Sequence, residues 1–552
     1  LTLTGNMNGS DFDFIQQRMT ALRTLDLKGV QVEGNAIPNY ALQGHKGLQK
    51  VVLPEGLKTI SYQAFDQCSA LAEVVWPEGL VTIEQEGFSE CSLTGELTLP
   101  ASVESIGTYA FDYSPITKAT VPARTLGEYV FKECRSLQSV VFTGDTVAIG
   151  QYEFQNCSAL SSVEFQGYVE TVGYRAFYEC PALQAADFTG GVGTVGEDAF
   201  YRCGALARVS FPLGVNSIGR EAFRECPVLS EVSFIGHATS IGEYAFYECG
   251  ALAEVAFPDS VGSIGNQAFY RCSALREVVF PGTVGSMGTQ VFEDCTALQK
   301  VVFPDNLAQV SDYTFRYCRA LQEVALPQTL SRIGEYAFYD CERLEDFTMP
   351  DSLKSIGNYA FNECYRLNKV AVKAATPPTM GSNVFNYTRV AFVPKGSGAL
   401  YSAASGWSGM VVIDGDTPLR VEVELGSAGT LGEEILKQVD YVNVVNELVV
   451  SGPLNSDDYY QIQQRMPNLM SIDMTGVLME ELPNYFFDNR GTLLSIKLPQ
   501  GLKRIGSYAF NRCYGLTEME LPEGLEQIRS SAFRDCYALK RINLPSTLTS
   551  ME

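Results

Sequence analysis

The sequence predicts an α/β solenoid of stacked parallel strands, and three observations carry that prediction. First, a phenylalanine followed three residues later by a cysteine recurs every 23 residues from Phe131 to Phe361. Second, all fifteen cysteines of the 552-residue chain occupy that one repeat position. Third, Gly5-Asn-Met-Asn-Gly-Ser-Asp-Phe-Asp-Phe-Ile-Gln-Gln-Arg-Met19 returns as Gly452-Pro-Leu-Asn-Ser-Asp-Asp-Tyr-Tyr-Gln-Ile-Gln-Gln-Arg-Met466, 447 residues later. A fixed period of this length marks supersecondary units that stack on one another.

Residues 1–40 read as an N-terminal cap and the first strand of one array, with Leu22, Leu25 and Leu27 leading into the repeats. The 23-residue repeats occupy 41–374, and 200–222 is representative. There Leu206, Val209 and Phe211 give a half-buried strand, which Pro212 ends because it cannot donate a ladder hydrogen bond. Ile218 points inward, Gly219 is expected to supply backbone freedom at a turn, and Glu221-Ala222-Phe223 to start a short helical or 3₁₀ turn. Each repeat is thus one strand, two turns and a short helical turn, with a parallel sheet on the concave side and turns and loops on the convex side. One repeat alone buries too little apolar surface to fold, so stability is a nearest-neighbour sum. The step from Phe111 to Phe131 is only 20 residues and lacks the cysteine, which predicts a bend or a notch.

Residues 375–414 break the period and read as a C-terminal cap. A linker and a second N-terminal cap follow at 415–490, with a strand at Val421–Leu425 and a helix capped by Thr430. Repeats of a second array fill 491–552, and the chain reads as a fragment cut at both ends.

In 321–341 the strand Leu-x-x-Val-x-Leu-Pro is followed by Ile-Gly-x-x-Ala-Phe-x-x-Cys. This motif resembles the 23-residue leucine-rich repeats of BspA-like surface proteins of anaerobic, Bacteroidetes-type bacteria. The resemblance implies a leucine-rich repeat solenoid, a secreted or outer-surface location, and adhesion to host extracellular protein such as fibronectin or fibrinogen, or to glycan. The cysteine precedes the first leucine by three instead of following the strand, so a regular helical convex side is not expected.

The formal charge of −24, with only 40 Lys plus Arg, argues against nucleic acid and against anionic membrane surfaces. No apolar run approaches a membrane span. Cys134, Cys157, Cys180, Cys203, Cys226, Cys249, Cys272, Cys295, Cys318, Cys341 and Cys364 form one column. Equivalent side chains on stacked rungs project in parallel at about 5 Å, so they read as a reduced structural ladder of small hydrophobes and not as disulfides. Their spacing also lacks the convergent pairs of a metal site. Of the two histidines, His45 stands at the cysteine position and reads as a core substitute, and His237 finds no triad partner. Gly191-Val-Gly193-Thr-Val-Gly196 matches a dinucleotide fingerprint but leaves no room for a crossover helix within one repeat. The chain is therefore read as non-enzymatic, without cofactor or metal.

What remains is surface. The residue two after the first strand leucine points outward on the sheet face, giving the column Glu231, Glu254, Glu277, Lys300, Glu323, Asp346 and Lys369. It reads either as a solvated face or as a site for a cationic partner. A tyrosine stripe, Tyr178, Tyr201, Tyr247, Tyr270 and Tyr339, follows the repeat phenylalanine, and it either packs between rungs or offers amphipathic contact area to protein or sugar. The chain reads as an adhesin-like recognition protein binding host protein, glycan or another cell. A structural spacer of the envelope, or an accessory domain of a larger surface enzyme, is the alternative.

Overall fold

A computed structural model describes residues 1–415 and 417–552. The chain forms two compact units, Leu1–Leu298 and Gln299–Glu552.

In the first unit each repeat contributes two strands. Arg208–Phe211 pairs in register with Glu231–Phe234, and Val215–Ile218 with His237–Ile241, all parallel. Repetition builds an eight-stranded sheet from Gly95–Thr98 to Glu254–Ala256 and a twelve-stranded sheet from Ala36–Ile37 to Thr283–Met287. The solenoid of parallel strands stands, but the anatomy of one repeat needs three corrections.

The expected second turn holds a strand: Val215 and Ile218 are buried while Asn216 is exposed, and Gly214, at φ 84°, turns the chain between the two strands. The expected helical turn is also absent. Glu221 and Glu225 flank Phe223 with φ of 55° and 56°, left-handed conformations that no right-handed helix can contain. Freed from helical bonding, the turn backbone pairs across rungs, Phe200 N–H donating to Ala222 O at 2.7 Å and Phe223 N–H to Ala245 O at 2.8 Å. Finally, Gly219 provides close approach and not conformational freedom. A Cβ there would lie 2.5 Å from Glu197 N and Gly196 C, and its φ is not left-handed.

Repeat phenylalanines stack face to face from Phe65 to Phe292 at 4.9 to 5.7 Å between ring centroids. The short repeat does not open the expected notch: Phe111 stacks on both neighbours at 5.7 Å, and Ile116–Val121 pairs on both sides. Most of the shortening falls in the turn between the two strands of the rung: Thr120 pairs with Thr98, 22 residues earlier, and Thr125 with Ser105, 20 residues earlier. Ser114 takes the cysteine position, buried and with no hydrogen-bond partner for Oγ.

In the second unit, Asp346–Met349, Lys369–Val372, Val390–Val393 and Val411–Asp414 form a parallel sheet. The helix Gly398–Ala403 and Trp407 close this end, with Tyr401 Oη donating to Ala374 O at 2.7 Å and Trp407 Nε1 to Pro378 O at 2.9 Å. A further sheet begins with Arg420–Glu424, Glu447–Pro453 and Ser471–Leu478. The helix Leu431–Leu436 forms, but Thr430 does not cap it: its hydroxyl donates to Ser427 O at 2.8 Å. Asp458 does the capping from the next rung, accepting from Leu431 N–H at 2.9 Å and Gly429 N–H at 2.6 Å. The two sets of rungs in this unit are joined by Tyr365, Tyr387, Tyr514 and Tyr537, and by Asn368 Nδ2 donating to Gly515 O at 3.1 Å.

Candidate interaction surface

Strand alternation sends one residue of each rung inward and the next outward, so the outward column is fixed by geometry. In the first unit Glu231 lies in register between Arg208 and Glu254, and Glu231, Glu254 and Glu277 are exposed. Beside them runs a column of small side chains that the sequence reading passed over, Ser210, Ser233, Ala256 and Val279, in which Ser233 Oγ donates to Ser210 Oγ at 3.2 Å. The face is thus a narrow floor of small residues with a charged rim. Its signal was the position two residues after each glutamate.

In the second unit the same pattern encloses a groove of about 430 Å³. Val302 and Ala325 form its floor, and Lys300, Glu323, Glu345 and Asp346 its walls. Lys300 stands in register with Glu323, and Asp346 with Lys369, whose Nζ lies 3.6 Å from the Asp346 carboxylate. Glu345 is held by Arg366 at 3.3 Å and by Lys540. Such a face offers hydrogen-bonding and ionic groups of both signs around a shallow apolar strip.

The tyrosine stripe has a different character. Tyr178 stacks on Tyr201 at 5.1 Å and Tyr247 on Tyr270 at 4.9 Å, and each ring is half-buried. Guanidinium groups lie over the rings: Arg175 over Tyr178 at 4.9 Å, Arg202 over Tyr201 at 5.0 Å, and Arg224 between Tyr201 at 5.8 Å and Tyr247 at 4.8 Å. In the second unit Tyr339 lies against Tyr317 and Tyr336 with Arg316 above. Burial pushes the phenols of Tyr178, Tyr201, Tyr247, Tyr270 and Tyr339 above the ordinary tyrosine value. These rings are engaged in holding rung to rung, and the sheet face is the freer surface.

The cysteines are free thiols, buried from Cys68 to Cys513, with Cys536 half-buried. They do more than fill space. Each thiol whose bond is described donates to the carbonyl of the residue at the phenylalanine position of the preceding rung, as in Cys157 to Phe131 O at 3.1 Å, Cys226 to Phe200 O at 3.2 Å and Cys249 to Phe223 O at 3.1 Å. Burial pushes the Cys203 and Cys249 thiols up to about 12, which removes them from thiolate chemistry. His45 fills the same position with the same logic: Leu48 N–H donates to Nδ1 at 3.1 Å, and Nε2 meets Met19 O at 3.1 Å. Within Gly191–Gly196, Val192–Val195 is a strand; Gly191 turns the chain at φ 88°, and a Cβ at Gly193 or Gly196 would lie 2.5 Å from Glu170 O or 2.8 Å from Val172 O, so these glycines serve a turn and close packing and not a phosphate. Among the described residues no three His, Cys, Asp or Glu side chains form a group that could hold a metal ion, and no helix is long and apolar enough to cross a membrane.

The model of the BspA type leucine rich repeat region matches six times, over 24–138, 124–252, 193–322, 239–368, 286–394 and 480–552. Among solved structures, a leucine-rich repeat protein from Bacteroides ovatus is 22% identical, with 68% of this chain and 87% of that one covered at a TM-score of 0.42. A leucine rich repeat protein of T. pallidum is 32% identical over 29% of this chain and 78% of that one, at 0.27. A leucine rich cell surface protein from Faecalibacterium prausnitzii is 21% identical over 66% and 89%, at 0.28. No curated protein matches the chain.

Proposed function

Because this chain belongs to the BspA-type leucine-rich repeat family, we propose that it is a non-enzymatic recognition protein of the cell surface or secreted space, adhesin-like, whose sheet face binds host extracellular protein or glycan. The observation that carries this reading is the sheet-face column. Its chemistry changes from Arg208 and Glu231 through Lys300 and Glu323 to Asp346 and Lys369, while the phenylalanine and cysteine columns behind it stay constant. A face tuned rung by rung over an unvarying core is what selective binding needs and what a spacer does not. Protein is the favoured ligand class, since the floor of Val302 and Ala325 suits apolar side chains and the rim pairs with either charge.

The test is binding of the purified chain to immobilised fibronectin, fibrinogen and mucin and to a glycan array, at low and high salt. Saturable binding to one of them that weakens with salt, and at least tenfold with Glu231→Lys and Glu254→Lys together, supports the reading. Silence across the panel moves the role to a structural spacer or to an accessory part of a larger protein, and saturable binding indifferent to both substitutions refutes the Glu231–Glu254 part of the face as the site.

A further inference from the structure

The segment Ile15-Gln-Gln-Arg-Met19 returns unchanged as Ile462-Gln-Gln-Arg-Met466, yet the two copies fold differently. In the first, these residues finish the α-helix Gly9–Arg18, and Met19 N–H donates to Ile15 O at 3.0 Å. In the second, the helix Ser456–Tyr460 runs into a π-helical turn, Gln461–Arg465. The cause lies one rung on. His45 stands at the cysteine position behind the first copy and, of the two equivalent carbonyls, reaches only Met19 O, through Nε2 at 3.1 Å. Arg490 stands there behind the second, and its longer side chain donates through Nη1 to Met466 O at 2.6 Å and through Nη2 to Ile462 O. The guanidinium thus takes the carbonyl that closes the last α-helical turn in the first copy, and the turn widens.

Beside this turn lies a cleft of about 570 Å³, lined in part by Arg389, Gln463, Gln464, Asp488, Arg490 and Tyr514. Gln16 of the first copy donates to Gln43 O at 2.8 Å. Its counterpart Gln463 has no such bond among the described residues and keeps its amide for the cleft. Gly491 lets the opposite wall close up: a Cβ there would lie 3.1 Å from Tyr514 Cδ2 and 3.3 Å from Arg389 Cγ, so ring and guanidinium stem sit side by side. Arg389 and Arg490 make no ion pair among the described residues, and burial lowers the Arg490 pKa with no carboxylate to oppose it. Two guanidinium groups without counter-charge beside one cleft, in a chain of formal charge −24, favour an anion there. Asp488, which accepts from Asn511 Nδ2 at 2.7 Å, adds an acceptor, and each glutamine amide adds both donor and acceptor.

We propose that this cleft is a binding site for a carboxylate-bearing sugar, a hexuronic or sialic acid residue of a glycan. Its carboxylate meets Arg389 and Arg490, its hydroxyls share Asp488 and the amides of Gln463 and Gln464, and its apolar ring face lies on Tyr514. A bare anion would leave Asp488 and both amides idle, and a phosphate would set added negative charge against Asp488. A neutral sugar would leave the guanidinium groups uncompensated. The site shares no residue with the sheet-face column and does not rest on the reading of that face.

The full chain is titrated with glucuronic acid and with N-acetylneuraminic acid, followed by saturation-transfer NMR of the ligand, with glucose, sodium acetate and sodium phosphate as controls. Saturable binding of one acidic sugar is expected, with every control about tenfold weaker or more, the loss of a charge-assisted hydrogen bond. Arg389→Gln should weaken that binding by about tenfold or more and Gln463→Ala severalfold. Arg490→His, the side chain that supports the first copy, should leave the circular dichroism spectrum of a folded chain and lose the acidic sugar. The inference is overturned by no saturable binding of either acidic sugar, by binding that any control matches, or by binding that survives both Arg389→Gln and Arg490→His in folded protein.

Discussion

Replacing Cys249 separates two accounts of the cysteine column. The thiol is fully buried and donates to Phe223 O at 3.1 Å. If it were only a small hydrophobe, Cys249→Val would be nearly neutral and Cys249→Ser would cost more, because a hydroxyl is the more expensive group to bury. If the donor matters, the order reverses. Valine leaves the Phe223 carbonyl without the thiol, at about 1–3 kcal/mol. Serine keeps a donor, and its shorter bond and smaller volume cost about 1 kcal/mol. Alanine loses donor and volume together, about 2–4 kcal/mol. Cys249→Asp buries an unpaired charge and should unfold the surrounding rungs, while Glu254→Ala, on the exposed face, should stay within about 0.5 kcal/mol of the parent. The assay is urea unfolding followed by circular dichroism under reducing conditions, with hydrogen exchange of 246–252 to keep the reading local. A valine variant as stable as the parent, with serine below it, refutes the thiol-to-carbonyl account. Equal losses in Cys249→Asp and Glu254→Ala would refute the assignment of inside and outside.

Three further outcomes follow from the geometry. Gly219→Ala should cost about 1–3 kcal/mol in urea unfolding by overpacking against the backbone of Gly196 and Glu197, whereas Ser531→Gly, at a left-handed position of φ 56°, should be neutral or mildly stabilising; the opposite order would restore a conformational role for the glycine. Glu153 is fully buried at a position held by Val130 and Ala176 in the adjacent rungs, with neither carboxyl oxygen partnered, so Glu153→Ala should raise stability by about 1–3 kcal/mol, read as a higher urea midpoint. Burial, aided by Glu90 and Glu86 and opposed by a hydrogen bond to Ser89, pushes Asp112 from the ordinary 3.8 up to about 6. Its folded form therefore holds the proton more tightly than the unfolded chain, so its contribution is fully present below the unfolded value and is lost as pH rises toward 6. Asp112→Asn should gain about 1–2 kcal/mol over the parent at pH 7, after discounting for partial solvation, and nothing at pH 3.5; a gain independent of pH would exclude ionisation as the cause.

Much of this architecture is legible in the residues. The period of Phe and Cys names a solenoid, the alternation Val209-Ser-Phe211 names which face is core, and the position of Glu231 after Leu229 names an outward column. The second strand was not legible, because Val215-Asn-Ser-Ile218 is too short to distinguish from a turn until its neighbours pair with it. The same holds for the floor of the candidate site. Ala256 and Val279 carry no chemical signal alone and become a surface only when stacked beside Glu254 and Glu277.

By itself the sequence determined the stacking unit, its repeat length and its interior columns, since each depends on side chains within one period and on copies of that period. Tertiary structure decided what depends on the distance between rungs. At the close spacing of stacked strands, Gly219 is required by the backbone of Gly196, the Cys249 thiol finds the Phe223 carbonyl, and the tyrosines are taken up by arginines on adjacent rungs.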